Sequence, residues 1–154
     1  MNLPETGVRD SIISTVSGKA LDLKDFSQED GTPILTYTSH GGENQHWIFQ
    51  PLTDAYAGYY NIVSPVSNKG FDLMEGDFND GIPLIQNSLI GTHNQMWQLV
   101  PNDENGFHIK CKGNDWVLDL KGGSSEDFTP VLAYPDNGGA NQLWTIVAFS
   151  PEAV

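Results

Sequence analysis

The feature that most constrains this chain is an internal repeat. Gln45-His46-Trp47, Gln95-Met96-Trp97 and Gln142-Leu143-Trp144 each follow an asparagine: Asn44, Asn94 and Asn141. Upstream stand Leu21-Asp22-Leu23, Phe71-Asp72-Leu73 and Leu118-Asp119-Leu120, with Pro33, Pro83 and Pro130 in between. Asp to Pro is 11 residues and Asp to Trp is 25 in every copy (Asp22 to Trp47, Asp72 to Trp97, Asp119 to Trp144). The copies are offset by 50 and then 47 residues, so the shortening falls in the connection between units. Such a period means that one supersecondary unit is used three times and that neighbouring copies complete a shared core.

Each unit reads as short strands joined by turns. Ile12, Ile62 and Ile109 sit ten residues before the aspartates, in β-prone runs such as Tyr59-Tyr60-Asn61-Ile62-Val63. Leu-Asp-Leu alternates apolar, polar, apolar, which sets the flanking residues on the core face and the Asp on the other. Turns follow at Glu29-Asp30-Gly31, Asn79-Asp80-Gly81 and Glu126-Asp127-Phe128. A further strand is expected to start at each proline, a tolerated first position, and a fourth near each tryptophan. No window carries helical periodicity free of Gly or Pro, and the 16 glycines and nine prolines suit a chain of many turns. The expectation is one all-β domain over residues 1–154, a closed or capped barrel of twelve strands with pseudo-threefold symmetry. Its repeats span approximately residues 8–54, 55–102 and 103–150. Trp47, Trp97 and Trp144 are expected to anchor the core near the pseudo-axis. Gln45, Gln95 and Gln142 are expected to be structural, satisfying backbone groups beside it.

Charge narrows the partners. Twenty Asp+Glu against seven Lys+Arg give a net charge of -13, which repels phosphate backbones and anionic lipid. Neither nucleic acid nor membrane insertion is expected. The one cysteine, Cys111, cannot close an internal disulfide and reads as a small buried residue. The first ten residues contain no apolar run of signal-peptide type. Cytoplasmic residence, or release without a signal peptide, is the expectation.

At these motifs the chain resembles the ricin-B-type lectins, whose fold is the β-trefoil. The resemblance runs from about Gly7 to Phe149, and three Asn-Gln-x-Trp motifs with spaced aspartates make it specific. The absence of a disulfide and the string His40-Gly41-Gly42-Glu43-Asn44-Gln45-His46-Trp47 make it most similar to small fungal lectins of that group. The resemblance implies carbohydrate binding without catalysis, cofactor or metal. It implies up to one pocket per repeat for terminal galactose or N-acetylgalactosamine on glycoproteins or glycolipids. It further implies haemagglutination, a defensive role against feeding animals, and a possible homodimer.

Such a pocket needs a carboxylate for two adjacent hydroxyls, an amide for donor and acceptor contacts, and an aromatic ring for the apolar C–H face of the pyranose. The first repeat offers Asp22, Tyr37 and Asn44, with His40 as a further polar contact. The third offers Asp119, Tyr134 and Asn141 at the same spacings, with Asn137 in the place of His40. Both have a Gly pair before the Asn, Gly41-Gly42 and Gly138-Gly139. The second keeps Asp72 and Asn94 but has Asn87 where the others have tyrosine and Ile90 where they have His40 or Asn137. Loss of the ring forfeits roughly 1 kcal/mol, so this site is expected to be silent or altered, and Asn87→Tyr to restore it in part.

Other chemistries fit less well. Glycoside hydrolysis needs two carboxyls about 5–10 Å apart, and each predicted pocket holds one; the acidic turns are expected to be solvated. His108 and Cys111 fall on opposite faces of one strand. The His and Cys set is too scattered for zinc, and Asp77-Phe78-Asn79-Asp80-Gly81 lacks the late Glu of a calcium loop. The main alternative is a trefoil that inhibits a protease or engages a protein without binding sugar, since fold alone does not fix function.

Overall fold

The computed structural model describes residues 3–102 and 106–150; the expected start of the third repeat, residue 103, lies outside them. Among the described residues there are twelve strands, and the helical turns are single 3-10 turns. The first repeat supplies β1 (Arg9–Ser14), β2 (Ala20–Leu23), β3 (Ile34–Tyr37) and β4 (Trp47–Pro51). The second supplies β5 (Tyr60–Val63), β6 (Gly70–Leu73), β7 (Ile82–Asn87) and β8 (Trp97–Pro101). The third supplies β9 (Phe107–Cys111), β10 (Val117–Leu120), β11 (Thr129–Tyr134) and β12 (Trp144–Ala148). No described helix is long and apolar enough to cross a membrane.

The antiparallel pairings form two layers. β1, β4, β5, β8, β9 and β12 pair in a ring, so this barrel has no free edge. The hairpins β2–β3, β6–β7 and β10–β11 form a triangular cap. The repeated prolines lie at its seams: Pro33 opposite Ile85, Pro83 opposite Leu132, Pro130 opposite Leu35. Each proline therefore faces an apolar residue of a neighbouring repeat. β7 and β11 begin one residue before their prolines, at Ile82 and Thr129, not at the proline itself. The arrangement is a β-trefoil.

Alternation explains the barrel. β1 buries Asp10, Ile12 and Ser14, and β9 buries Phe107, Ile109 and Cys111. The three repeat tryptophans are wholly buried. Each indole Nε1 donates to a carbonyl of its own repeat: Trp47 to Leu21 (3.1 Å), Trp97 to Phe71 (3.3 Å), Trp144 to Leu118 (3.0 Å). The ring of Phe71 meets those of Trp47 (4.7 Å) and Trp97 (6.1 Å) edge-on. Cys111 is a buried free thiol whose pKa burial raises, which makes it unreactive.

One buried group works against the fold. Asp10 on β1 is 2% exposed and its Oδ2 has no hydrogen-bond partner among the described residues. Burial, reinforced by Glu5, pushes its pKa from 3.8 to about 6. The native state thus holds a proton that the unfolded chain releases, and stability falls as pH rises through that window. Asp10→Asn is expected to stabilise the protein at pH 7 by about 1–2 kcal/mol. Thermal melts should show a rise of a few degrees at pH 7 and little change at pH 4.

Candidate functional site

Each cap hairpin ends against a 3-10 turn that carries the repeat's Asn and Gln: Glu43–Gln45, His93–Gln95 and Ala140–Gln142. The glutamines make one pattern three times. Gln45 Nε2 donates to Asp22 Oδ2 (2.8 Å) and the Thr38 carbonyl (3.0 Å), while its Oε1 accepts from the His40 N–H (3.0 Å). Gln95 does the same with Asp72 (3.0 Å), Ser88 (2.9 Å) and Ile90 (2.9 Å). Gln142 does so with Asp119 (2.9 Å), Pro135 (3.0 Å) and Asn137 (3.0 Å). Gln thus orients the aspartate as well as satisfying backbone. The aspartates lie on the face away from the core leucines, yet remain 6–8% exposed because this turn covers them.

In the first repeat Asp22, Tyr37, His40 and Asn44 come together around a cavity of about 260 Å³, with Asp25, Phe26 and Phe128 completing its walls. Asn44 Nδ2 donates to Asp22 Oδ1 (3.1 Å) and the Leu23 carbonyl (3.1 Å). Its Oδ1 is buried without a partner among the described residues, and its donor half is already engaged. His40 Nδ1 accepts from the Gly42 N–H (3.0 Å), which leaves Nε2, 3.7 Å from Asp22 Oδ2, as the nitrogen that carries the proton. Each oxygen of Asp22 accepts one bond from the protein; a carboxylate has about four acceptor positions, so about two remain for hydroxyls. Burial raises the pKa of Asp22, opposed by the bond from Gln45.

The third repeat keeps the frame and changes the walls. Asn141 Nδ2 donates to Asp119 Oδ1 (3.1 Å) and the Leu120 carbonyl (3.0 Å). Burial again raises the aspartate pKa, opposed by Gln142. Asn137 Oδ1 accepts from the Gly139 N–H (2.9 Å), the same loop bond that His40 makes. The cavity, also about 260 Å³, is lined by Asp80, Asp119, Lys121, Gly122, Leu132 and Tyr134. Trp116 leans on Tyr134, with ring centroids 6.5 Å apart.

The second repeat closes on itself. Asp72 Oδ2 accepts from Asn87 Nδ2 (3.0 Å) as well as from Gln95, and Oδ1 accepts from the Leu73 N–H (2.8 Å). Asn87 is also committed on its other side, accepting from the Gly31 N–H (2.9 Å). Asn94 does not reach Asp72. It is exposed, and its Oδ1 occupies the space where a Cβ on Gly113 would stand. The second and first repeats have Val66 and Val16 at the position of Gly113. A ring at position 87 removes the Asn87 bond to Asp72 but leaves Asn94 turned away, so Asn87→Tyr alone does not bring back the amide.

Residues outside the motif shape each cavity, because the β2–β3-type turn of a neighbouring repeat forms one wall. In the first two sites that turn is latched. Asp127 Oδ1 accepts from Lys19 Nζ (2.7 Å) and from the N–H and hydroxyl of Thr38 (2.8 Å each). Asp30 Oδ1 takes Lys69 Nζ (3.0 Å) and the N–H and hydroxyl of Ser88 (2.8 and 3.0 Å). These bonds, the lysine's first, hold both carboxyls below the ordinary range. In the third site Trp116 and Pro135 stand where the lysine and the Thr or Ser would be. Proline has no N–H, so Asp80 is not latched and lines the cavity instead. The expectation of one carboxylate per pocket is thus corrected: Asp25 joins Asp22, and Asp80 joins Asp119; the turn acids Glu29, Asp30, Asp80 and Glu126 are exposed, as expected. Among the described residues no group of three or more His, Cys, Asp or Glu is placed to hold a metal ion.

The ricin-type beta-trefoil lectin domain-like family model matches residues 5–87 and 93–154. The chain belongs to this family of carbohydrate-binding trefoils. No curated protein sequence matches it. Among solved structures, a designed threefold-symmetric protein, ThreeFoil, is similar at 34% identity and TM-score 0.84, covering 90% of this chain and 97% of that one. The Macrolepiota procera ricin B-like lectin, solved in complex with lactose, is 28% identical with TM-score 0.77, covering 95% and 99%. The Rhizoctonia solani agglutinin, at 24% identity and TM-score 0.84, covers 97% and 99% and shares the fold.

The Gln frame predicts that stability and site competence separate in the second repeat. Gln95→Ala leaves the Ile90 N–H, the Ser88 carbonyl and Asp72 without this partner. It is expected to destabilise the protein by about 2–4 kcal/mol, as much as Gln45→Ala, although the second site is closed. Urea unfolding of the two variants checks this.

Proposed function

We propose that this chain is a lectin with two working pockets, in the first and third repeats, for terminal galactose or N-acetylgalactosamine on glycoproteins or glycolipids. The observation that carries the reading is the contrast among the three aspartates. Asp22 and Asp119 sit in the same Gln–Asn frame with free acceptor positions and a tyrosine in the cavity wall. Asp72 is bonded by Asn87 and the Leu73 amide instead. Lactose in the related Macrolepiota lectin supports a galactose-type ligand. A continuous apolar C–H patch, which the axial 4-hydroxyl leaves on galactose, suits Tyr37 and Tyr134. Two pockets on one rigid body gain avidity on a multivalent surface, beyond the weak affinity of each.

A glycan array on wild type, Asp22→Asn, Asp119→Asn and the double variant tests the assignment. Each single change is expected to lower single-site affinity by about 10- to 100-fold, the worth of hydrogen bonds to a charged acceptor, and the double change to abolish binding. Thermal melts of the same variants separate lost binding from lost folding. Retained binding by the folded double variant would sink the two-pocket assignment. A blank array with wild type would favour a protein-binding trefoil, to be followed with a protease panel. Binding should also weaken on acidification. Burial raises both aspartate pKa values above 3.8, so the acceptor carboxylates are neutralised at a higher pH than ordinary ones. Titration calorimetry across pH 3–7 reads this directly.

A further inference from the structure

Three side chains in the wall of the first cavity stand on backbone that favours glycine. Asp25 (φ 57°), Phe26 (φ 54°) and Phe128 (φ 63°) are all left-handed. At the equivalent places the third repeat has Gly122 (φ 62°) and Gly123 (φ 61°), and the second has Gly76 (φ 135°) in the place of Phe26. In the place of Phe128 the first and second repeats have Gly31 (φ 82°) and Gly81 (φ 100°). The loop conformation thus calls for glycine, and the other repeats supply it at Phe26 and Phe128. Burial does not account for the replacement either: Phe26 is 50% and Phe128 54% exposed. Strained backbone at exposed aromatics around one cavity is the pattern of a ligand-contacting wall.

Resting on the lectin reading of the first site, we propose that Phe26 and Phe128 form a subsite for a second saccharide unit, linked to the one seated on Asp22. Phe128 tilts against Tyr37 with ring centroids 4.9 Å apart, extending the aromatic surface past one pyranose. Asp25, between Phe26 and the Asp22 strand, supplies a carboxylate acceptor for that unit's hydroxyls. The third cavity, with Gly122, Gly123 and Gly81 at these places, lacks the wall. The first site therefore prefers a disaccharide and the third does not.

Calorimetry with methyl β-galactoside and lactose tests this, in an Asp119→Asn background that isolates the first site. Lactose is expected to bind about fivefold tighter than the methyl glycoside, the scale of one added aromatic contact. Phe26→Gly/Phe128→Gly should remove most of that preference, while thermal melts show a protein no less stable, because glycine suits both turns. Equal affinities in the Asp119→Asn protein, or a lactose preference that survives the double glycine change, would overturn the subsite while leaving the first pocket a sugar site. Should neither sugar bind, with Asp22→Asn making no difference, the lectin reading fails and the subsite with it.

Discussion

A buried glutamine amide holds each third of this protein together. Its nitrogen bridges the β2-type aspartate to a loop carbonyl, and its oxygen takes the amide two residues beyond that carbonyl. Removing it would strand a backbone N–H, a carbonyl and a carboxylate beside the core, where unsatisfied groups are costly. Two residues on, the tryptophan indole ties the same strand to the barrel. The Gln-x-Trp motif is therefore one clamp: Trp fixes the turn to the core, and Gln fixes the loop and the aspartate to the turn. The clamp persists in the second repeat, where the pocket is closed, so it belongs to the fold first.

Threefold symmetry of the frame does not extend to the cavities, because each cavity is built across a seam. The cap hairpins meet at Pro33, Pro83 and Pro130, and the turn beside each seam reaches over a neighbouring repeat's aspartate. One cavity thus samples two repeats, and substitutions in either change it. Pro135 removes the amide that would latch Asp80, and Asp80 becomes lining. Gly113 leaves a gap that Asn94 enters, and the second site loses its amide. Phe128 replaces a glycine in the third repeat and thereby furnishes the first site.

The energetics show where the chain departs from what folding alone asks. Left-handed conformation in a non-glycine residue costs roughly 1–2 kcal/mol, and the first site carries three such residues. Asp22 and Asp119 are buried carboxylates with raised pKa values, which also disfavours folding near neutral pH. The backbone expense marks the first cavity, and the carboxylate expense falls at both cavities that retain a tyrosine. In the second repeat Asp72 is bonded to Asn87 and the Leu73 amide instead.

The sequence by itself determined the repeat, the strand count, the buried tryptophans and the aspartate–tyrosine–asparagine sets of the first and third repeats. Each of these lives inside one unit of fixed spacing, where periodicity and side-chain chemistry are local. Asn87 in the place of tyrosine was also legible, and so was a weakened second site. Tertiary structure decided what spacing does not encode: Asp80, Phe26, Asp25 and Phe128 as cavity walls, Asn94 turned away, and the donor half of Asn44 already spent. These depend on contacts across seams between residues far apart in the chain and on the backbone angles of turns. Phenylalanine in the place of glycine at one turn gains its meaning only because the fold sets that turn against another repeat's pocket.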